Sequence, residues 1–196
     1  MADRSLIPIQ FSTSELVHVT EEEAKLIWLQ ADSPHTHMLI KTLWYTGLRI
    51  SEAIAITPND IHRDGLEFWL LVHRKKQRVR KKTQSATPDA MPLRRDLALD
   101  LLDYIKTQGI RPNARLFPAH RSTYWRHVQK CTMKAGIPHW KAIGHPHAFR
   151  HWFIYHKRRL GVTIEFLQAL AGHSDMKTTL RYSVPEAADL QKVVNL

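Results

Sequence analysis

The spacing of apolar residues is the feature that most limits what this chain can fold into. Over most of the sequence, apolar residues recur at the three- and four-residue intervals of a helix. The repeat changes after the turn-forming pair Asp64-Gly65, where residues 66–72 form a short β-rich run and 87–93 a partner strand. Pro92 lacks a backbone donor, which places that partner at a sheet edge. The pattern predicts an α+β fold, mostly helical with a small antiparallel sheet.

Helix boundaries are predicted from capping signals. Thr20 and Glu23 have the spacing of a capping box, and Gly47 is predicted to end the second helix. Ser122 and Thr163 are predicted to cap later helices. The predicted spans are a helix that begins at Thr20, then 37–45, 51–58, 94–107, 122–134, 147–160, 163–172, a short helix that carries Tyr182, and a final amphipathic segment, 185–196. Side chains predicted to face inward on two of them are Leu97, Leu101, Leu102, Ile105, Trp125, Val128 and Cys131.

Length and cysteine content exclude several classes of protein. The chain has 196 residues, 43% of them apolar, which is enough for one domain with a sizeable core. No run approaches 18 uninterrupted apolar residues, so we expect no membrane span, and the N-terminus lacks the layout of a secretion signal. Cys131 is the single cysteine, which excludes an internal disulfide and fits a reducing interior. We therefore expect a cytoplasmic protein.

The charge distribution indicates a polyanionic partner. The formal net charge is +11, and the 61 residues between Asp103 and Glu165 contain twelve Lys or Arg but no Asp or Glu. Each phosphate that a basic side chain neutralises releases condensed counterions, so such a surface favours nucleic acid. A basic face that is merely solvated is the alternative.

Three short segments carry the candidate chemistry. They are TGLRISE at 46–52, HAFRH at 147–151 and AGHSDMKTTLRY at 171–182. Together they resemble the motif set of the tyrosine recombinases, the phage integrase family, over about residues 20–196. The resemblance implies a catalytic domain of the DNA breaking–rejoining fold. It also implies a site-specific recombinase that cuts and rejoins double-stranded DNA through a 3′-phosphotyrosyl intermediate, in integration, excision, inversion or resolution.

The resemblance implies a role for each motif residue. Arg49 and Arg150 would hold the scissile phosphate, and Tyr182 would be the nucleophile. His147 and His151 are both candidate proton acceptors for Tyr182, and the resemblance favours His147. His173 would donate a hydrogen bond to a phosphate oxygen.

A lysine on a β-hairpin supplies the proton for the leaving oxygen in this family. The corresponding stretch here is 74–82, which has seven basic residues in nine. Lys75 and Lys76 are both plausible, with Lys76 slightly favoured. The DNA-contacting residues that we expect are Arg74, Arg78, Arg80, Lys81, Lys82 and His151.

These residue types suit phosphodiester cleavage without a metal or cofactor. Negative charge builds on the phosphate oxygens in the transition state, and guanidinium groups are always charged and present paired donors. A tyrosine hydroxyl has a pKa near 10, so it needs a base or a strong positive field. We therefore expect no cofactor and no metal. Glu52, three residues after Arg49, is a competing ion-pair partner.

The predicted organisation is an extended N-terminal arm, 1–19, a catalytic domain, 20–184, and a C-terminal segment, 185–196. By resemblance, that last segment would dock on a neighbouring protomer during assembly of a dimer or tetramer on DNA. The 19 residues before the first helix are too few for the separate N-terminal helical domain of this family. The chain is thus expected to be either a short recombinase or a catalytic fragment.

Three other functions compete with this interpretation. A zinc site could use His145, His147, His151 and His156, although no carboxylate lies between 104 and 164. A non-catalytic DNA-binding module would keep the basic surface without turnover. A type IB topoisomerase would use the same chemistry to relax supercoiled DNA.

Overall fold

A computed structural model of the chain describes residues 19–74 and 89–171. Its helices are α1 (Glu21–Leu29), α2 (Pro34–Thr46), α3 (Ile50–Ala53), α4 (Arg95–Thr107), α5 (Arg121–Lys134), α6 (Trp140–Ile143), α7 (Pro146–Arg159) and α8 (Ile164–Ala171), with a 3₁₀ turn at Pro58–Asp60. Its strands are β1 (Ile61–Asp64), β2 (Glu67–Val72) and β3 (Asp89–Leu93). The predicted class, mostly helical with a small antiparallel sheet, is confirmed. No helix in the two described ranges is long and apolar enough to cross a membrane.

The sheet has the order β1-β2-β3, with both pairs antiparallel. Gly65 has φ +57 and makes the turn from β1 to β2, as its position after Asp64 predicted. Pro92 pairs with Trp69 in the edge strand β3, which is where a residue without a backbone donor fits. Strand β1, which the sequence did not predict, has one half-buried residue followed by exposed ones, so it carries little apolar signal.

Helix α2 is the centre of the core. It packs against α1, α4, α5 and α7. Ser33 accepts a hydrogen bond from the Thr36 N–H at its start, and Gly47 ends it with φ +62. Its fully buried apolar side chains are Leu39, Ile40, Leu43 and Trp44.

A second, smaller apolar cluster attaches α8 to α7. Phe153 and Ile154 of α7 pack there against Leu167 and Ala171 of α8. On the other side of α8, Phe166 is 69% exposed. The apolar contact that holds α8 is therefore modest.

Several predicted boundaries are confirmed and others are wrong. The capping box of Thr20 and Glu23 is present, and α4 ends at Thr107 as predicted. The helix predicted over 51–58 is wrong, because α3 ends at Ala53 and Pro58 begins a separate 3₁₀ turn. His120, whose ring accepts from the Ser122 N–H, caps α5 in place of Ser122.

Two predicted core side chains lie at the surface. Leu102 is 42% exposed, because the buried face of α4 runs through Leu97, Leu101 and Tyr104. Trp125 is 39% exposed and stacks on His145 instead of entering the core. Most of the predicted arm (1–18) and the segments 174–182 and 185–196 lie outside the described residues.

Candidate active site

Arg49 occupies a junction that the sequence forms in three steps. Gly47 ends α2 in the left-handed conformation, Leu48 is buried, and Arg49 is then the extended residue that precedes α3. The backbone N–H of Arg49 donates to Glu52 Oε2 over 2.8 Å, and its Nη1 donates to Glu52 Oε1 over 2.8 Å. Two bonds to one carboxylate therefore orient both the main chain and the guanidinium of Arg49.

Arg150 approaches the same carboxylate from α7. Its Nη1 lies 4.0 Å from Glu52 Oε2 and donates to the Gly47 carbonyl oxygen over 2.8 Å. Its Nη2 donates to the carbonyl oxygen of Ala171 at the end of α8. This arginine cluster, formed by Arg49, Glu52 and Arg150, joins α2, α3, α7 and α8 at one point.

The cluster has a buried side and an exposed side. The side chains of Glu52 and Arg150 are 5% and 7% exposed, whereas that of Arg49 is 37% exposed. Two guanidinium groups share one carboxylate, so the three groups carry a net positive charge. The exposed part of Arg49 can therefore face an anion in solvent.

Three histidines border this cluster at the start of α7. His145 is the N-cap residue, and its Nδ1 accepts from the Ala148 N–H over 3.2 Å. His147 and His151 lie on the exposed side of the helix. Partial burial, followed by the charges of His145, Arg150 and Arg49, lowers the pKa of His147. Burial and then His147 likewise lower the pKa of His151, so both rings favour the neutral form that accepts a proton.

Trp125 of α5 packs against two of these histidines, His145 and His147. Its ring stacks on His145 with centroids 5.6 Å apart and an interplanar angle of 12°. It meets His147 edge-on, with centroids 6.4 Å apart. Trp125 thus limits the positions that both imidazoles can take, a contact that the prediction of an inward-facing Trp125 did not anticipate.

Comparison with known proteins assigns the chain to a family. The sequence model of the phage integrase family matches residues 11–188 of the chain. The chain belongs to the phage integrase family. A tyrosine recombinase of Pseudothermotoga lettingae is 32% identical over 166 residues, which cover 82% of this chain and 53% of that protein. The chain spans about half the length of the first curated relatives that it matches.

Solved structures share the fold. The catalytic domain of bacteriophage HP1 integrase superposes with a TM-score of 0.59 at 19% identity, and covers 92% of this chain and 94% of that domain. The XerH site-specific recombinase bound to its difH substrate superposes with a TM-score of 0.69 at 19% identity, and covers 91% of this chain and 54% of that one. The fold of the phage integrase family is therefore present in the chain.

The remaining predicted site residues fall into two groups. Outside the described residues lie His173, Tyr182, Lys75, Lys76, Arg78, Arg80, Lys81 and Lys82. Arg74 is described, and its guanidinium faces the carbonyl oxygens of Ala169 and Leu170 on α8. In the structure the guanidinium of Arg74 is therefore bound to the protein, and its DNA contact stays a prediction.

Glu52 is the residue of this site whose role the sequence understated. The sequence identified it only as a competitor for Arg49, whereas it is the buried carboxylate that the two arginines share. The signal was available, because Glu at the third position of a helix commonly bonds the N–H of the cap residue. No group of three or more His, Cys, Asp or Glu in 19–74 and 89–171 could hold a metal ion, so the zinc alternative gains no support there.

Proposed function

We propose that this chain is the strand-cleaving domain of a site-specific DNA recombinase, with Tyr182 as its nucleophile. The observation that carries the proposal is the convergence of Arg49 and Arg150 on one buried carboxylate beside two histidines with lowered pKa values. These arginines come from motifs about a hundred residues apart. Membership of the phage integrase family gives the arrangement its chemical context.

The proposed step conserves atoms and charge without a metal or cofactor. Tyr182 Oη attacks the phosphorus and transfers its proton to a neutral histidine, for which we favour His147 over His151. The bond from phosphorus to the 5′ oxygen breaks, and Lys75 or Lys76 protonates that oxygen. A 3′-phosphotyrosyl bond and a 5′-hydroxyl result. Attack by a partner strand's 5′-hydroxyl reverses the step, and the covalent bond retains the free energy needed for rejoining.

The other proposed residues bind or stabilise phosphate. Arg49 and Arg150 stabilise the charge that develops on the phosphate oxygens, with a hydrogen bond from His173. We propose DNA-backbone contacts for Arg78, Arg80, Lys81, Lys82 and His151. The net charge of +11 supports such contacts.

The proposal includes the partners and the organisation of the chain. The XerH relative is a recombinase solved on its DNA substrate, and a lambda integrase dimer is solved on a core site. We propose that this chain binds one specific duplex sequence and assembles on it as a dimer or tetramer. Residues 20–184 would form the catalytic domain and 185–196 would dock on a neighbouring protomer. A cytoplasmic location fits the single free thiol, Cys131.

Assembly is tested by removing the proposed docking segment. A chain that ends at Val184 should still bind one site, but it should lose the slower gel-shift band in which two sites are held together. If that band forms equally well without 185–196, the docking proposal is wrong.

The activity is tested with nicked duplexes. Cleavage beside a nick releases a short oligonucleotide and traps the covalent adduct, which migrates slowly in a denaturing gel. The unknown target is covered by a pool of nicked duplexes with randomised flanks, from which adducts are purified and sequenced. We expect adducts with the native chain, none with Tyr182→Phe, and about 100-fold fewer with Arg49→Ala or Arg150→Ala. Equal adduct formation by Tyr182→Phe would refute Tyr182 as the nucleophile.

A further inference from the structure

The last described turn of α8 contacts side chains from outside the helix. Here three consecutive carbonyls accept from two arginines of other elements. Arg74 donates through Nη1 to Ala169 over 3.2 Å and through Nη2 to Leu170 over 2.8 Å, and Arg150 donates to Ala171. All three carbonyls thus accept from cationic donors.

Arg74 is itself fixed in place. It lies two residues after the end of β2, and its side chain is 11% exposed. Its Nε lies 3.3 Å from Oδ2 of Asp89, the first residue of β3. The preceding residue, His73, contacts Asp60 through Nε2 over 2.8 Å. The guanidinium therefore lies between the first residue of β3 and the last described turn of α8, with an ion-pair contact but no hydrogen bond from Nε to Asp89.

The apolar attachment of α8 is small. Leu167 and Ala171 are the buried side chains of α8 in its cluster with α7, Leu170 packs there half-buried, and Phe166 on the same helix is 69% exposed. Hydrogen bonds from a charged donor are about twice as strong as neutral ones. The two guanidinium groups therefore add to the apolar contact that holds the last described turn of α8 beside Arg150.

We infer that Arg74 is a positioning residue for strand cleavage. It holds the last described turn of α8 against Arg150, and the chain continues from that turn to His173 and Tyr182. This inference rests on the proposed function and replaces the DNA contact predicted for Arg74. A misplacement of about 1 Å at a reacting group costs on the order of 100-fold in rate. Loss of Arg74 should therefore slow cleavage and leave DNA binding unchanged.

The first test separates cleavage from binding. Arg74→Ala is compared with Arg95→Ala, which removes the same charge from an exposed position at the start of α4. We expect Arg74→Ala to cleave a nicked duplex selected with the native chain about 10- to 100-fold more slowly in single turnover. Its affinity and the salt dependence of that affinity should equal those of the native chain. A DNA contact would instead weaken binding and lower the salt slope by about one, and that result would overturn the inference.

The second test locates the defect within the reaction. Replacing the bridging 5′ oxygen of the same duplex by sulfur gives a leaving group that departs without a proton. Because the inferred role of Arg74 concerns the last described turn of α8, the rate loss should persist on this substrate. If Arg74→Ala cleaved this duplex at the native rate, its defect would lie in proton donation by the hairpin lysine. That result would overturn the inference.

Two further variants cover the case in which Arg74→Ala does not fold. Arg74→Lys retains the charge but has only one donor group for two carbonyls and Asp89, so it should recover the cleavage rate only in part. Asp89→Asn removes the charge that orients Arg74 and should slow cleavage less than Arg74→Ala. Native rates in both would overturn the inference. If the native chain itself forms no adduct, the proposed function fails; if it does and the Arg74 variants match it, the inference alone fails.

Discussion

Arg150 donates a hydrogen bond to the carbonyl oxygen of Gly47 over 2.8 Å, although 103 residues separate the two in sequence. One helical turn further along α7, Phe153 lies against the Cα of the same glycine, where an added Cβ would be 2.5 Å from Phe153 Cδ1. Gly47 is thus contacted twice by α7. The absence of a side chain at this position is what lets α7 approach the end of α2 and brings Arg150 beside Arg49.

Gly47→Ala should destabilise the protein for two separate reasons. The left-handed conformation at φ +62 costs an alanine about 1 kcal/mol, and displacement of Phe153 adds about 2 kcal/mol. We expect a loss of about 3 kcal/mol in the free energy of unfolding, measured by urea denaturation. Gly65→Ala is the matched control, because Gly65 has φ +57 but nothing within 4 Å of an added Cβ. Equal losses in the two variants would show that the contact with Phe153 is unimportant.

Glu52→Gln should impair both stability and strand cleavage. It keeps the shape of the side chain but removes the charge that Arg49 and Arg150 share, so two cations face each other across a neutral amide. We expect a loss of about 2 kcal/mol in the free energy of unfolding and a fall of at least 10-fold in adduct formation. Glu21→Gln is the control, because Glu21 pairs with Lys25 at the surface and such pairs contribute less than about 1 kcal/mol. A Glu52→Gln variant as stable and active as the control would contradict the role of the shared carboxylate.

Local signals predicted local structure well, and long-range contacts poorly. The capping box at Thr20, the glycine stop at Gly47 and the edge position of Pro92 each depend on neighbours a few residues away, and each is confirmed. The prediction that Trp125 faces the core was wrong because its partner, His145, lies outside α5, at the start of α7. Nothing in the local pattern distinguishes a tryptophan that stacks on an imidazole at the surface from one that enters the core.

In the candidate site, too, the residues were predictable from the sequence and their long-range contacts were not. Motif spacing was enough to select Arg49 and Arg150, but not to predict that Glu52 would lie between them. Arg74 was grouped with its basic neighbours, because composition cannot tell a guanidinium directed at helix carbonyls from one directed at solvent. Such assignments depend on how α7, α8 and the sheet meet.

Cys131 should be unreactive in the folded protein. It is 3% exposed on α5, and burial raises the pKa of its thiol to about 11. Because the thiolate is the reactive form, we expect reaction with Ellman's reagent at pH 8 to be on the order of 100-fold slower than in urea. As Cys131 is the single cysteine, the reaction reports directly on opening of the core. Rapid labelling without denaturant would contradict the packing of α5 described here.

Acidification should destabilise the fold through His145. Burial lowers the pKa of His145, and its Nδ1 must be unprotonated to accept from the Ala148 N–H. The unfolded chain therefore takes up this proton at a higher pH than the folded one, so stability falls as the pH drops below about 6.5 and levels off below the folded pKa. His145→Asn keeps a good cap without a titrating group, and its urea midpoint should fall less between pH 7.5 and 5. His62→Asn, at an exposed position on β1, should follow the native chain. If the urea midpoint of His145→Asn fell as much as that of the native chain, protonation of His145 would not be the cause of the acid destabilisation.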